Sequence, residues 1–295
     1  MFYELCFFLL GLFLFFISGE SSEGYVSVQL NGQFGNQLFE IGTAYAYALD
    51  QGLELTVPDL LYKKKDNIPH NAELVFLPKI STYFIPVSYK KWKEPSFNYS
   101  SIPLAKAIEL EGFFQSEKYF KHRRGEILDL FAAPSGLNDL ILSKYPILAS
   151  DALIVGIQIR DYRVAQMYGK NHPTIGRSYY EKAMALFPKE TIFFVSSNNL
   201  KYAEDCTKGL SNNIIYLQNG SNYIEDFYTL VLCKSFIISN STFGWWAAWL
   251  SQDPDKVVIA PDPWFTSPLD NKTMTKDLLP KEWIIIENKK NKKLQ

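Results

Sequence analysis

The chain has 295 residues, enough to bury one large core or two medium ones, and two domains are the expected division. With 47% hydrophobic and 16% aromatic side chains it has the composition of a folded protein, which excludes a disordered or low-complexity one. Its 30 basic and 31 acidic side chains leave a formal net charge of −1, so no global field draws it to nucleic acid or to an anionic membrane.

Residues 2–17 are almost wholly apolar, broken only by Tyr3, Glu4, Cys6 and Gly11, and the polar stretch GESSEG follows. That length suits the apolar region of a signal peptide or a short membrane anchor. No Lys or Arg precedes it, while Gly19 and Ser21 offer a small-residue cleavage site. Secretory targeting or N-terminal membrane association through residues 1–23 is therefore expected, as a Golgi single-pass type II protein if the host is eukaryotic. Residues 25–30 then alternate as a strand does, NGQFGNQLFE breaks the pattern with glycines, a helix is expected over 38–49, and residues 53–57 form the next strand. This order of strand, glycine turn, helix and strand is the unit of a parallel α/β sheet.

Residues 59–103 are rich in Pro, Lys and aromatics and predict loops with short strands. A strand over 108–114 and a Lys/Arg-rich helix over 119–130 complete the first half; Pro134 and Gly136 punctuate, and a helix over 138–145 follows. The second series predicts strands at 153–159, 192–195, 214–217, 236–239, 257–260 and 283–286, with helices at 178–186, 200–207 and 224–233. The halves, 24–145 and 146–287, predict two facing Rossmann-like domains with the site in the cleft between them, and 288–295 is a basic tail. Lys63 to Lys65 and the tail read as solvated charge.

Cys6, Cys206 and Cys233 are too few and too scattered for a disulfide framework or a zinc cluster; Cys206 and Cys233 are either a pair or two isolated thiols. Sequons stand at Asn98, Asn219, Asn240 and Asn271, of which Asn240 is the least plausible acceptor of a glycan.

Ligands of open α/β sheets gather at the carboxyl ends of strands. Three such ends in the second half carry Gln158, Arg160 and Asp161; Ser196, Ser197 and Asn198; and Ser239, Asn240, Ser241 and Thr242. Arg160 offers a fork that suits a diphosphate, with Asp161 placed to hold it, although a surface Arg–Asp pair fits the same residues. The turn from Ser241 to Phe243 runs a buried strand into an aromatic helix, where backbone N–H groups and hydroxyls bind an anion or merely cap the helix. Asn198 reads a base edge or caps a helix. In the first half Gly32, Gly35, Asn36 and Gln37 form a glycine-hinged turn where backbone can approach a ligand, with a spacing that matches neither GxGxxG nor a P-loop.

Taken in order, NGQFGNQLFEIGTAYAYA, EGFFQSEKYF, EDFYTLVLCKSFIISNSTFGWWAAWL and VVIAPDPWF resemble the α-1,2-fucosyltransferases, which transfer L-fucose from GDP-fucose to a galactose hydroxyl. The resemblance implies a GT-B-like fold with parallel sheets, an acceptor-side N-terminal domain, a nucleotide-sugar-binding C-terminal domain, inverting chemistry, and no metal or other cofactor. It implies a catalytic set of Arg160, Asp161 and Asn36, and donor contacts from Gln33, Gly35, Gln158, Asn198, Ser241, Thr242 and Phe243. A nucleotide sugar and a glycan acceptor are the implied partners. The chain departs from the family pattern in IQIRDYR: Gln158 stands at the His position, the second Arg and the Gly are absent, and Arg163 lies displaced from them. Ser197 and Asn198 occupy places where the family carries acids. These departures leave open transfer of a different nucleotide sugar and a degenerate, non-catalytic, glycan-binding role. No general base is assigned; His172, Asp161 and Glu117 are the residues considered, with His172 the more ordinary surface histidine.

Overall fold

The computed structural model describes residues 24–61, 79–164, 171–217, 222–266 and 275–288. The apolar segment 2–17, Asn219, Asn271, Lys63 to Lys65 and the basic tail beyond 288 lie outside the described residues.

Among the described residues, two all-parallel sheets form the frame. The first has four strands in the order β2-β1-β4-β3, with β1 Tyr25–Val28, β2 Glu54–Thr56, β3 Lys90–Lys93 and β4 Ala107–Glu111. The second has six in the order β10-β9-β8-β5-β6-β7, with β5 Ile154–Ile159, β6 Ile192–Ser197, β7 Ile214–Tyr216, β8 Ser235–Ile238, β9 Val258–Asp262 and β10 Ile284–Glu287. β5 reads IVGIQI and is buried at every position, because a central parallel strand has neighbours on both edges and helices on both faces. Its register sets Gln158 opposite Ser196 of β6 and Ile238 of β8, so these strands end at one level.

The α-helices among the described residues are α1 Phe34–Gln51, α2 Arg124–Leu130, α3 Leu137–Lys144, α4 Arg177–Met184, α5 Leu200–Thr207, α6 Tyr223–Val231 and α7 Thr242–Leu250. Three helix starts differ by several residues from the sequence expectation. α1 begins at Phe34, ahead of the expected 38, because the Phe34 ring packs against Phe227 at 5.0 Å and Phe243 at 6.3 Å and draws Gly35 and Asn36 into the first turn. The helix expected from 119 starts at Arg124 after two short 3-10 turns, since Tyr119 turns to Phe114 while Phe120 stacks on Trp246. α7 starts at Thr242, so Thr242, Phe243 and Gly244 are its first turn instead of part of a loop.

α7 joins the two sheets. Its TFGWWAAWL sequence buries Trp245, Trp246 and Ala247 completely, and the Phe39 ring of α1 lies 4.4 Å from Trp245 and 5.0 Å from Trp246. One apolar cluster therefore takes in Val26 and Phe39 beside the first sheet and Phe194, Phe227 and Phe236 beside the second. A separate cluster on the other face of the second sheet holds Val155, Ile157, Tyr179 and Tyr180. Cys233 belongs to the first cluster and Cys206 to the second; both are buried free thiols, which resolves the open pairing. Asn240 is fully buried and its amide donates to the carbonyls of Pro173 and Trp264, so it has no room for a glycan. Among the described residues no helix is long and apolar enough to cross a membrane.

Candidate active site

The carboxyl ends of strands from both sheets face a single cleft of about 970 Å³. From the first sheet come the turn after β1, holding Gln33 and Asn36, and the turn after β4, holding Phe113 and Gln115. From the second come Gln158 near the end of β5 and Arg160 after it, Ser197 at the end of β6 and Asn198 after it, Ser241 to Phe243 after β8, and Phe265 after β9.

Arg160, half-buried, reaches across the cleft and donates from Nη2 to Gln33 Oε1 at 2.9 Å. Gln33 sits at the N-cap position of α1 but makes no side-chain cap bond, so its amide is committed to the arginine. The fork is not held by Asp161, as its sequence position suggested. Asp161 is fully buried and turns away to accept from the Arg163 main chain at 3.0 Å, from Arg163 Nε and Nη2 at 2.9 and 3.0 Å, and from Asn199 Nδ2 at 2.8 Å. The hydrogen bonds of the Arg163 side chain, foremost, hold the Asp161 carboxyl below its ordinary range despite burial. Arg163 is thereby occupied; its guanidinium lies over Tyr202 at 4.2 Å and does not line the cleft, so it does not replace the missing family arginine.

Asn198 lines the cleft and does not cap a helix. Its Oδ1 accepts from Asp161 N at 2.8 Å and its Nδ2 donates to Asp161 O at 3.0 Å, which fastens the end of β6 to the end of β5; the cap of α5 is Asn199. Gln158 is buried, and its Oε1 accepts from Ser239 Oγ at 2.6 Å.

Ser241 occupies the N-cap position of α7 without making a side-chain cap bond. The N–H groups of the first helical turn lack a carbonyl partner within the helix and carry the positive end of its dipole. The Thr242 hydroxyl instead donates to Asn36 Oδ1 at 2.9 Å, and Gln115 Nε2 donates to the same oxygen at 3.2 Å. Two donors on Oδ1 fix the Asn36 amide with its NH₂ group as the remaining function. Gly35 explains how α1 and α7 come so close: a Cβ there would stand 2.6 Å from Phe243 N and from Thr242 Oγ1. The close approach expected of this glycine is made here between the two helix starts. Phe243 is half-buried between the Phe34 and Phe227 rings.

His172 is half-buried and lines the cleft, where it stacks on Tyr162 at 4.4 Å and 12° and meets Phe265 at 5.2 Å, unlike the surface histidine expected. Glu117 lies elsewhere, on a separate groove of about 530 Å³ at the far end of α7, paired with Lys121 at 3.0 Å. Among the described residues no three of His, Cys, Asp and Glu gather as metal ligands.

Sequence reasoning missed Tyr162, whose hydroxyl donates to Asn240 O at 2.8 Å, and Asp226, which accepts from Ser196 Oγ at 3.0 Å and lines the cleft. It also missed Phe97, Phe113 and Phe265 as lining residues. Phe113 and Gln115 lie inside the EGFFQSEKYF segment already singled out, while Phe97 had no local signal.

This architecture has counterparts. A glycosyl transferase family 9 structure from Veillonella parvula is similar with a TM-score of 0.53 at 8% identity, covering 92% of this chain and 89% of that one, and supports the two-sheet, GT-B-like fold. An alpha-1,2-colitosyltransferase of Escherichia coli is 26% identical over 294 residues, 89% of this chain and 99% of that protein. A galactoside alpha-(1,2)-fucosyltransferase 2 of Oryctolagus cuniculus is 25% identical over 244 residues, 78% of this chain and 68% of that protein. The profile of Glycosyl transferase family 11 matches residues 15–287, and so takes in both sheets and every loop around the cleft. The chain belongs to that family, the family of the α-1,2-fucosyltransferases, and is a glycosyltransferase by membership.

Proposed function

We propose that the protein is an inverting transferase that moves L-fucose from GDP-fucose to a galactose hydroxyl of a glycan, with no metal required. The observation that carries this reading is the meeting, in one cleft, of the Arg160 guanidinium, the uncapped first turn of α7 and the Asn36 amide. Cleavage of the donor builds negative charge on the departing diphosphate. Arg160 spends one N–H on Gln33, and its other donors, with the amides of Thr242 to Gly244, suit that charge in a site walled by protein on both sides. The acceptor oxygen bonds to the sugar carbon from the face opposite the diphosphate as the bond to the phosphate oxygen breaks; the electron pair leaves with GDP and the acceptor proton passes to solvent or to a base. The Asn36 NH₂, fixed by Thr242 and Gln115, is set to donate to the reacting sugar or to a phosphate oxygen. Residues 2–17 would direct the chain to a membrane or secretory route, a reading supported by their apolar composition.

A second reading, transfer of a different nucleotide sugar, is favoured by the base-side turn. Asn198 spends its amide on Asp161 where the family carries an acid, and one relative is named for colitosyl transfer. Calorimetric titration of the full chain with GDP, GDP-fucose, UDP and ADP separates the readings. Selective micromolar binding of GDP, weakened by about 1.5 kcal/mol or more in Arg160→Ala, is the expected result, the scale of a hydrogen bond to a charged group. Preference for UDP or ADP transfers the assignment to another donor, and binding of none of them leaves a non-catalytic glycan-binding protein.

A further inference from the structure

The polar groups occupy only part of the cleft. The opposite wall is a chain of rings: Phe113 stacks on Phe97 at 5.8 Å and 9°, Phe97 meets Phe265 at 5.3 Å, Phe265 meets His172 at 5.2 Å, and His172 stacks on Tyr162. Phe113 is 36% exposed, and its presentation is built rather than incidental. The Glu94 carboxylate accepts from Phe113 N at 3.0 Å and Phe114 N at 2.9 Å, and from the Tyr119 hydroxyl at 3.1 Å. Between them Phe114 is held at φ +50, in the left-handed region that a bulky side chain avoids. That backbone buries Phe114 completely against Trp92 and Tyr119 and turns its neighbour Phe113 outward. The position before this turn must be glycine, since a Cβ on Gly112 would stand 2.4 Å from the Glu94 Cβ.

The same turn ends at Gln115, which donates to Asn36, which in turn accepts from Thr242 at the head of α7. One short segment therefore presents an aromatic face and braces the polar groups beside it. The cleft, at about 970 Å³, also stands at the top of the range for a small-ligand site, roughly 300–1,000 Å³.

We propose that Phe113 and Phe97 form the acceptor subsite, taking the apolar C–H face of a galactopyranoside, and that Glu94 is the positioning residue that holds this platform. The inference rests on the transferase reading for the role of the bound sugar, but not for its binding. A galactopyranose with an axial 4-hydroxyl gathers its ring hydrogens on one face, and that face matches a flat ring set beside polar groups that address the hydroxyls on the other edge.

The test is saturation-transfer NMR of methyl β-D-galactopyranoside on the full chain in the presence of GDP, with GDP affinity measured separately by calorimetry. Saturation strongest at H3, H4 and H5 is expected. It should fall about fivefold to tenfold in Phe113→Ala, the scale of one lost aromatic contact, and persist in Phe113→Trp, with GDP affinity unchanged in both. Glu94→Ala should lose the saturation and Glu94→Gln, which keeps an acceptor oxygen, should retain it. Absence of saturation in the wild type, or full saturation in Phe113→Ala, overturns the subsite. If GDP fails to bind while the Phe113-dependent galactoside signal persists, the GDP-fucose reading falls and the subsite stands.

Discussion

Asp161 shows how much one carboxylate can be redirected by folding. It adjoins Arg160 in the chain, yet its oxygens serve Arg163 and Asn199, and Arg160 is left for Gln33. Its pKa is lowered, so its contribution to stability is present above the unfolded value, about 3.9, and is lost as pH falls through the folded one. Asp161→Asn should destabilise by about 1–2 kcal/mol at pH 7, a figure kept small because the Arg163 side chain is more than half exposed and screened by solvent. Urea midpoints measured at pH 7 and in the acid range check this: the gap between variant and wild type should narrow below pH about 4.

At the scale of elements, the turn between β1 and α1 depends on two acids beneath it. Glu40 Oε2 accepts from Asn31 N and Asp59 Oδ2 from Leu30 N, both at 2.9 Å. Glu40 is fully buried, and desolvation pushes its carboxyl well above the ordinary range, with Asp59 and Glu94 adding to the shift and the Asn31 amide opposing it. The sign is opposite to that of Asp161: stability is fully present below the unfolded value, about 4.3, and is lost as pH rises through the folded one. Glu40→Gln keeps the acceptor for Asn31 and removes the titration. Wild type should lose stability relative to this variant as pH rises from 5 to 8, by at most about 1.4 kcal/mol per pH unit, the slope of one proton. Denaturation curves across that range that differ by a constant would sink the assignment. α7 is the other element that matters here, since its position against α1 requires Gly35 and places its free amides in the cleft.

The whole molecule holds its two sheets through a shared core. Phe39→Ala removes a ring that touches Phe120, Trp245 and Trp246, and should cost about 3–5 kcal/mol. Because these contacts belong to both sheets, calorimetry should show one transition moving to lower temperature; two separate transitions would show that the sheets melt independently.

The alternation of apolar strand and helix, with glycine and hydroxyl turns between, was enough to give parallel α/β order and to mark the strand ends at Arg160, Asn198 and Thr242. That information is local, because periodicity records which face of an element is buried. Partner choice at the cleft is not local. Gln33 and Arg160 are 127 residues apart, and Asn36 joins Gln115 and Thr242 over 79 and 206 residues. Phe97 comes from a stretch without periodicity, and reaches the cleft only because Phe113 and Phe265 pack against it. Sequence by itself determined the elements and the residue types at their ends; tertiary structure alone decided which of those ends meet, because side-chain pairing follows from the packing of α7 against α1 and not from any pattern within either segment.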